Sequence, residues 1–180
     1  IENINKCFDA NVPVVVGTTG WYAEFNAVQE RCVSENKGLL YATNFSVGVN
    51  IFYEINKKLA ALMDANSQYD VEVEETHHTQ KLDAPSGTAI SLAEGIIDNL
   101  DRKDSWKNDM IVSENELVIE SIRTENVPGT HIVKYESDID VVEIKHEAKN
   151  RNGFAFGAVL AAEYIHDKNG VFTMKDVLSL

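Results

Sequence analysis

At 180 residues with 44% apolar content, the chain can fill the core of one full domain, or of a small domain plus part of another. A formal charge of −13 argues against general binding to nucleic acid or anionic membranes, because neutralising phosphates takes clustered Lys and Arg. No apolar run reaches bilayer length, and residues 1–10 lack the basic and apolar regions of a signal peptide, so a soluble, cytoplasmic protein is expected.

The first forty-odd residues alternate helix and strand. A helical piece over 4–10 precedes an apolar strand over 12–16 and a turn over 17–20; a helix over 22–35 and a second strand over 39–43 follow. Continuous apolar strands flanked by helices are the pattern of a parallel sheet covered on both faces, here the back half of a doubly wound domain. Cys7 and Cys32 fall in the helical segments without metal-ligand spacing and read as reduced thiols. Trp21 reads as a core aromatic.

A long helix is expected from 46 to about 66, with Phe52, Ile55, Leu59 and Leu62 on its buried face. Tyr69, Val71 and Val73 then alternate with Asp70, Glu72 and Glu74, the period of a strand with one face on a core, which implies an antiparallel or mixed sheet. A helix over 86–100 is expected to carry Ile90, Ala93, Ile97 and Leu100 inward, with Ser86 as its cap. Three more strands are read at 117–123, 130–136 and 140–148, the last with Val142, Ile144 and His146 on one face. A helix over 154–166 and a short helical tail from Thr173 close the chain.

The densest polar constellation runs from Glu75 to Ala89, between a strand and a helix. His77, His78 and Lys81 give a local positive field and a group that titrates near neutral pH. The helix start at Ser86, Gly87 and Thr88 offers backbone N–H groups and the positive end of a helix dipole, suited to a carboxylate or phosphate. Gly87 lets such an anion approach the backbone. A solvated basic loop ending in a helix cap remains the plainer reading of the same residues. No metal is expected, since neighbouring strand residues point to opposite faces and no third ligand has the usual spacing.

The run Glu75 to Ala89 resembles the signature of dihydrodipicolinate reductases, Glu-x-His-His-x-x-Lys-x-Asp-Ala-Pro-Ser-Gly-Thr-Ala. Val16 to Trp21, Asn44 to Asn50, Ser121 to Arg123, Pro128 to His131, Asn150 to Arg151, Phe154 to Ala158 and Asp176 to Leu178 are similar to that family as well. The resemblance implies a reductase of lysine and diaminopimelate biosynthesis. It would use NADH or NADPH to reduce 4-hydroxy-tetrahydrodipicolinate, a small dicarboxylate, to tetrahydrodipicolinate with loss of water, as a homotetramer.

Residue by residue, the resemblance implies that His77 is the proton donor or electrostatic helper facing the substrate ring and that Lys81 acts with it. His78, Gly87 and Thr88 match substrate-binding positions. Gly17, Thr18 and Thr19 match the loop approaching the nicotinamide, Asn44 and Phe45 the segment beside it, and Arg151 a residue closing on the cofactor. The implied organisation is a partial dinucleotide-binding domain over 1–45 and 151–180, with a substrate-binding and oligomerisation domain over 46–150. Members of the family open with a Gly-x-x-Gly-x-x-Gly turn that does not occur from Ile1 onward. The chain is thus expected to be the greater part of such an enzyme, without assignable pyrophosphate contacts or a readable NADH or NADPH preference. A non-catalytic dicarboxylate-binding domain, or an oligomerisation module of the same fold, is the alternative.

Overall fold

The computed structural model describes residues 1–109, 111 and 113–180. In chain order its elements are α1 (Glu2–Asp9), β1 (Val14–Val16), a 3-10 turn (Tyr22–Glu24) running into α2 (Phe25–Ser34), β2 (Gly38–Tyr41), α3 (Val47–Asp64), β3 (Asp70–His77) and α4 (Gly87–Ile97). They continue with β4 (Ser105–Lys107), β5 (Glu116–Arg123), β6 (Thr130–Glu136), β7 (Val141–Glu147), α5 (Asn152–Ile165), β8 (Gly170–Phe172) and α6 (Met174–Leu178). Two compact units result, Ile1–Asn50 with Asn152–Leu180, and Ile51–Arg151; the chain passes from one to the other within α3.

The first unit holds a parallel sheet in the order β1-β2-β8, with Val14 opposite Leu39 and Leu39 opposite Val171. Successive strand residues point to opposite faces. Leu39 therefore joins Ile4, Phe8, Trp21, Val28 and Cys32 in one cluster, and Leu40 joins Phe45, Ala161, Ile165 and Met174 in another. Both faces are covered, as expected of a doubly wound piece. Trp21 is buried against Tyr22, Phe25 and Tyr41 and donates its indole N–H to the Thr18 carbonyl, 2.9 Å. Strand β8 is absent from the sequence reading because three residues are too few to establish a period. Thr173 caps α6 through a reciprocal capping box with Asp176.

The second unit is built on a mixed sheet in the order β4-β5-β3-β6-β7. Strand β3 runs parallel to β5 and antiparallel to β6. The register stacks the inward side chains in rows: Val71, Tyr135 and Val142, then Ile119, Val73, Val133 and Ile144. The next row is Ser121, Glu75, His131 and His146, and beyond it His77 lies opposite Arg123. One face of one sheet thus passes from an apolar core to a line of titratable groups within two residues.

Helices α3 and α4 pack on the apolar rows, each turned from the orientation expected. In α3 the buried positions are Val49, Phe52, Asn56, Ala60 and Met63, whereas Ile55 and Leu62 are exposed. The reason is Asn56, whose Nδ2 donates to the Leu92 carbonyl of α4 at 2.9 Å, beside Gly95, where the two helices come close. A polar residue occupies the contact stripe and the apolar count misplaces it. In α4 the core stripe is Ala89, Leu92, Ala93 and Ile96, with Leu100 beyond the helix end, while Ile90 and Ile97 lie at its margin. Strand β4, on the far edge, was also not expected.

Candidate functional site

The site grows from the polar end of the second sheet. Period-two alternation continues past Val73, so Glu75 and His77 point inward with the core residues, 0% and 8% exposed. Burying a carboxylate demands partners. Glu75 Oε1 accepts hydrogen bonds from the Ser86 backbone N–H (3.1 Å), the Ser121 hydroxyl (2.9 Å) and Arg123 Nη2 (3.0 Å). Arg123 Nη2 also donates to the Asp83 carbonyl, 2.8 Å, tying the loop after β3 to the sheet. Burial would push the Glu75 carboxyl up, but hydrogen bonds from His77, Ser86, Arg123 and Ser121 outweigh it and hold the group well below the usual carboxylate range.

Glu75 Oε2 lies 3.1 Å from His77 Nδ1 and 3.8 Å from His131 Nε2. The two imidazoles stand edge to face, 5.0 Å between ring centres. His131 Nε2 is 3.1 Å from the Ser86 hydroxyl, which itself accepts the Ala89 N–H as the cap of α4. Burial and the nearby His77 push His131 down to about 3, so it is neutral at physiological pH. The ligand atoms of Glu75, His77 and His131 lie within 4.8 Å of one another, close enough for a metal ion. Arg123 already neutralises the carboxylate, however, and a dication there would face an uncompensated charge.

This arrangement has a pH consequence. In the unfolded chain His131 binds its proton near 6.5, in the folded protein only near 3. Its neutral form therefore contributes stability that is complete above about pH 6.5 and is lost as the pH falls toward 3, at up to about 1.4 kcal/mol per pH unit. His146, also lowered by burial, adds in the same direction. The lowered carboxyls of Glu75, Asp83 and Glu147 act only below their ordinary range, so denaturant unfolding between pH 6.5 and 5 isolates the histidines. Stability is expected to fall across that window and to fall less in His131→Asn; a flat wild-type profile contradicts the assignment.

The remaining signature residues surround this buried cluster. His78 follows the end of β3 and lines a cleft of about 450 Å³ with Gln80, Glu125, Pro128 and Arg151. The structure therefore brings His78 and Arg151 together, whereas His77, Lys81, Gly87 and Thr88 are not among that cleft's lining residues. Lys81 Nζ is held by both Asp83 oxygens, 2.8 and 2.9 Å. Gly87 opens α4 with free space where a side chain would stand, and Thr88 shares a hydrogen bond with the Tyr53 hydroxyl. In the first unit, Gly17, Thr18 and Thr19 form an exposed turn at the carboxyl end of β1. Asn44 and Phe45 follow the same end of the neighbouring parallel strand β2, and the Phe45 ring supports the turn: a Cβ on Gly17 would lie 3.2 Å from it.

Sequence reasoning passed over Glu75, Arg123 and His131 as site residues. The signal was present, since a strand whose inward positions read Val71, Val73, Glu75 and His77 must bury a carboxylate beside a histidine.

Residues 48–178 match the family described as dihydrodipicolinate reductase, C-terminus. The chain is also 53% identical over 178 residues to the 4-hydroxy-tetrahydrodipicolinate reductase of Christiangramia forsetii, covering 99% of this chain and 74% of that protein. The chain belongs to the dihydrodipicolinate reductase family. Its enzyme class follows, an NAD(P)H-dependent oxidoreductase of lysine and diaminopimelate biosynthesis. The 4-hydroxy-tetrahydrodipicolinate reductase of Methanococcoides burtonii is 39% identical over 182 residues, 99% of this chain and 68% of that one. Among solved structures, the dipicolinate-bound dihydrodipicolinate reductase from Paenisporosarcina sp. TG-14 superposes with a TM-score of 0.73 at 26% identity, covering 96% of this chain and 66% of its own. Among the described residues, no helix is long and apolar enough to cross a membrane.

Proposed function

We propose that residues 46–150 bind 4-hydroxy-tetrahydrodipicolinate and deliver the proton for its reduction to tetrahydrodipicolinate with loss of water, while 1–45 and 151–180 approach the nicotinamide of NADH or NADPH. The observation that carries this reading is the buried Glu75–His77 pair at the end of β3, followed by Lys81 and the open start of α4. Reduction of an unsaturated dicarboxylate needs an anion site, a hydride and a proton.

The start of α4 at Gly87 and Thr88 supplies the anion site, since N–H groups there point outward and the helix dipole favours negative charge. Lys81, with His78, adds cationic and hydrogen-bonding groups that stabilise charge developing on the ring. Reduced nicotinamide supplies the hydride when bound. His77 gives a proton to the ring atom next to the one that receives the hydride. Gly17, Thr18 and Thr19 fit the nicotinamide side, for the crevice outside the carboxyl ends of parallel strands is where such ligands bind, with Asn44 and Phe45 on the adjacent strand end. Arg151 closes on the cofactor. The binding of dipicolinate by the solved relative supports the substrate class.

We also assign a cytoplasmic location, and a homotetramer formed through the second sheet. Alternation along β3 turns Glu72 and Glu74, both only partly buried, to the face of that sheet opposite the core residues Val71 and Val73, and that face is the one proposed to meet another subunit. Light scattering at micromolar concentration is expected to give the tetramer mass, and a monomer refutes it.

Dipicolinate tests the substrate site directly. At a hundred times its dissociation constant, a ligand that binds only the folded state adds about 2.7 kcal/mol. That corresponds to a melting-temperature rise of several degrees for a chain of this size. Loss of the rise in Thr88→Val supports the helix-start site. No shift at millimolar dipicolinate defeats the reading, and a shift without turnover in the full-length protein favours the non-catalytic alternative.

A further inference from the structure

We infer that Glu75 is the positioning residue of the proposed proton donor, fixing the His77 ring with Nδ1 toward the carboxylate and Nε2 as the working nitrogen. The inference rests on the reading of His77 as that donor and goes beyond it by naming what orients the ring.

Three observations converge. First, the carboxylate is itself immobile: Oε1 is saturated by a backbone N–H from the cap of α4, a hydroxyl from β5 and the Arg123 guanidinium. Donors from two elements besides its own strand, the cap of α4 and β5, hold it, so the position of Oε2 is set by the fold. Second, Oε2 and His77 Nδ1 are both buried, lie 3.1 Å apart, and have no other hydrogen-bond partner among the described residues. Their contact falls short of hydrogen-bond geometry, yet at 3.1 Å it is nearer than the other group within reach of Oε2, His131 Nε2 at 3.8 Å. Third, the residue that comes close to the opposite edge of the ring is a glycine. A Cβ on Gly129 would stand 3.0 Å from His77 Nε2 and 3.2 Å from its Cδ2, so glycine at 129 keeps that edge of the imidazole clear.

A histidine whose Nδ1 meets a carboxylate carries its neutral-state proton on that nitrogen and presents Nε2 for exchange, the nitrogen in use being set by the hydrogen bond the other makes. The neighbouring His131 stays neutral and edge-on, so it adds no competing cation. Arg123 compensates the Glu75 charge through Oε1, leaving Oε2 to face His77.

A double-mutant cycle in the full-length enzyme tests this, with Glu75→Gln, His77→Ala and the pair. If Glu75 acts through His77, Glu75→Gln lowers kcat about tenfold or more with KM little changed, and removes nothing further once His77 is alanine. Equal losses from Glu75→Gln in both backgrounds overturn the inference. Near-normal turnover in His77→Ala instead overturns the proton-donor reading itself. Nitrogen NMR of the wild-type His77 ring provides a measurement that needs no buried substitution. The expected neutral form carries its proton on Nδ1, and a proton on Nε2 with a bare Nδ1 refutes the positioning role whatever the kinetics show.

Discussion

His77→Ala and Lys81→Ala, made in the full-length enzyme, are each expected to lower turnover by about two orders of magnitude, the usual scale for a lost general acid or a lost partner to developing charge. Binding of the reduced cofactor should change little. His77 is 8% exposed and lies against Glu75, so its loss removes the proposed proton source without touching a residue that lines the cleft of His78. Lys81 is anchored to Asp83 on an accessible loop, and in the proposed role its ammonium exchanges part of that contact for the substrate. Asp83→Ala is therefore expected to be milder: an exposed ion pair contributes little stability, and Lys81 keeps its charge. His78→Gln should also cost less than His77→Ala, because His77 lies against Glu75 while His78 lines the separate cleft. Steady-state kinetics on the four variants separates these cases. Should His77→Ala and Lys81→Ala raise only KM, the loop is a binding element and the proton comes from water.

These positions were legible because their chemistry is written locally. A strand, a polar loop and a capped helix follow one another within twenty residues, and period-two alternation settles which side chains turn inward. Lys81, Gly87 and Thr88 need no tertiary information to be noticed. Glu75 does, since what places it in the candidate site is Ser121 and Arg123 on β5 and His131 on β6, brought beside it by register between strands far apart in sequence. Strands β4 and β8 escaped notice for a related reason: three residues gain their identity from the neighbour they pair with. The rotation of α3 turned on Asn56, a polar residue on the buried stripe whose partner, a carbonyl of α4, lies 36 residues away. Apolar periodicity locates a helix well and its contact face less well wherever an amide replaces a hydrocarbon.

Gly157→Ala is expected to destabilise the first unit severely, by about 3 kcal/mol or more, although alanine is the better helix former by about 1 kcal/mol. Gly157 lies within α5, where an added Cβ would stand 1.7 Å from the Phe45 carbonyl oxygen and 2.7 Å from its carbon. Both are backbone atoms, so no rotamer change relieves the clash; α5 or the segment after β2 must move. Phe45 packs with Leu40, Ala161, Ile165 and Met174, and its ring lies against the Gly17 turn. Displacing it disturbs the core and both segments proposed to approach the nicotinamide. Gly153→Ala in the first turn of the same helix is the internal control, because its Cβ would meet only Ser46 Oγ at an ordinary 3.8 Å. Propensity should decide there, leaving stability unchanged or slightly raised. Urea unfolding of the two variants beside wild type reads the contrast. A Gly157→Ala midpoint matching that of Gly153→Ala would mean that α5 can shift away from the Phe45 backbone at little cost, and the close approach would lose its structural importance.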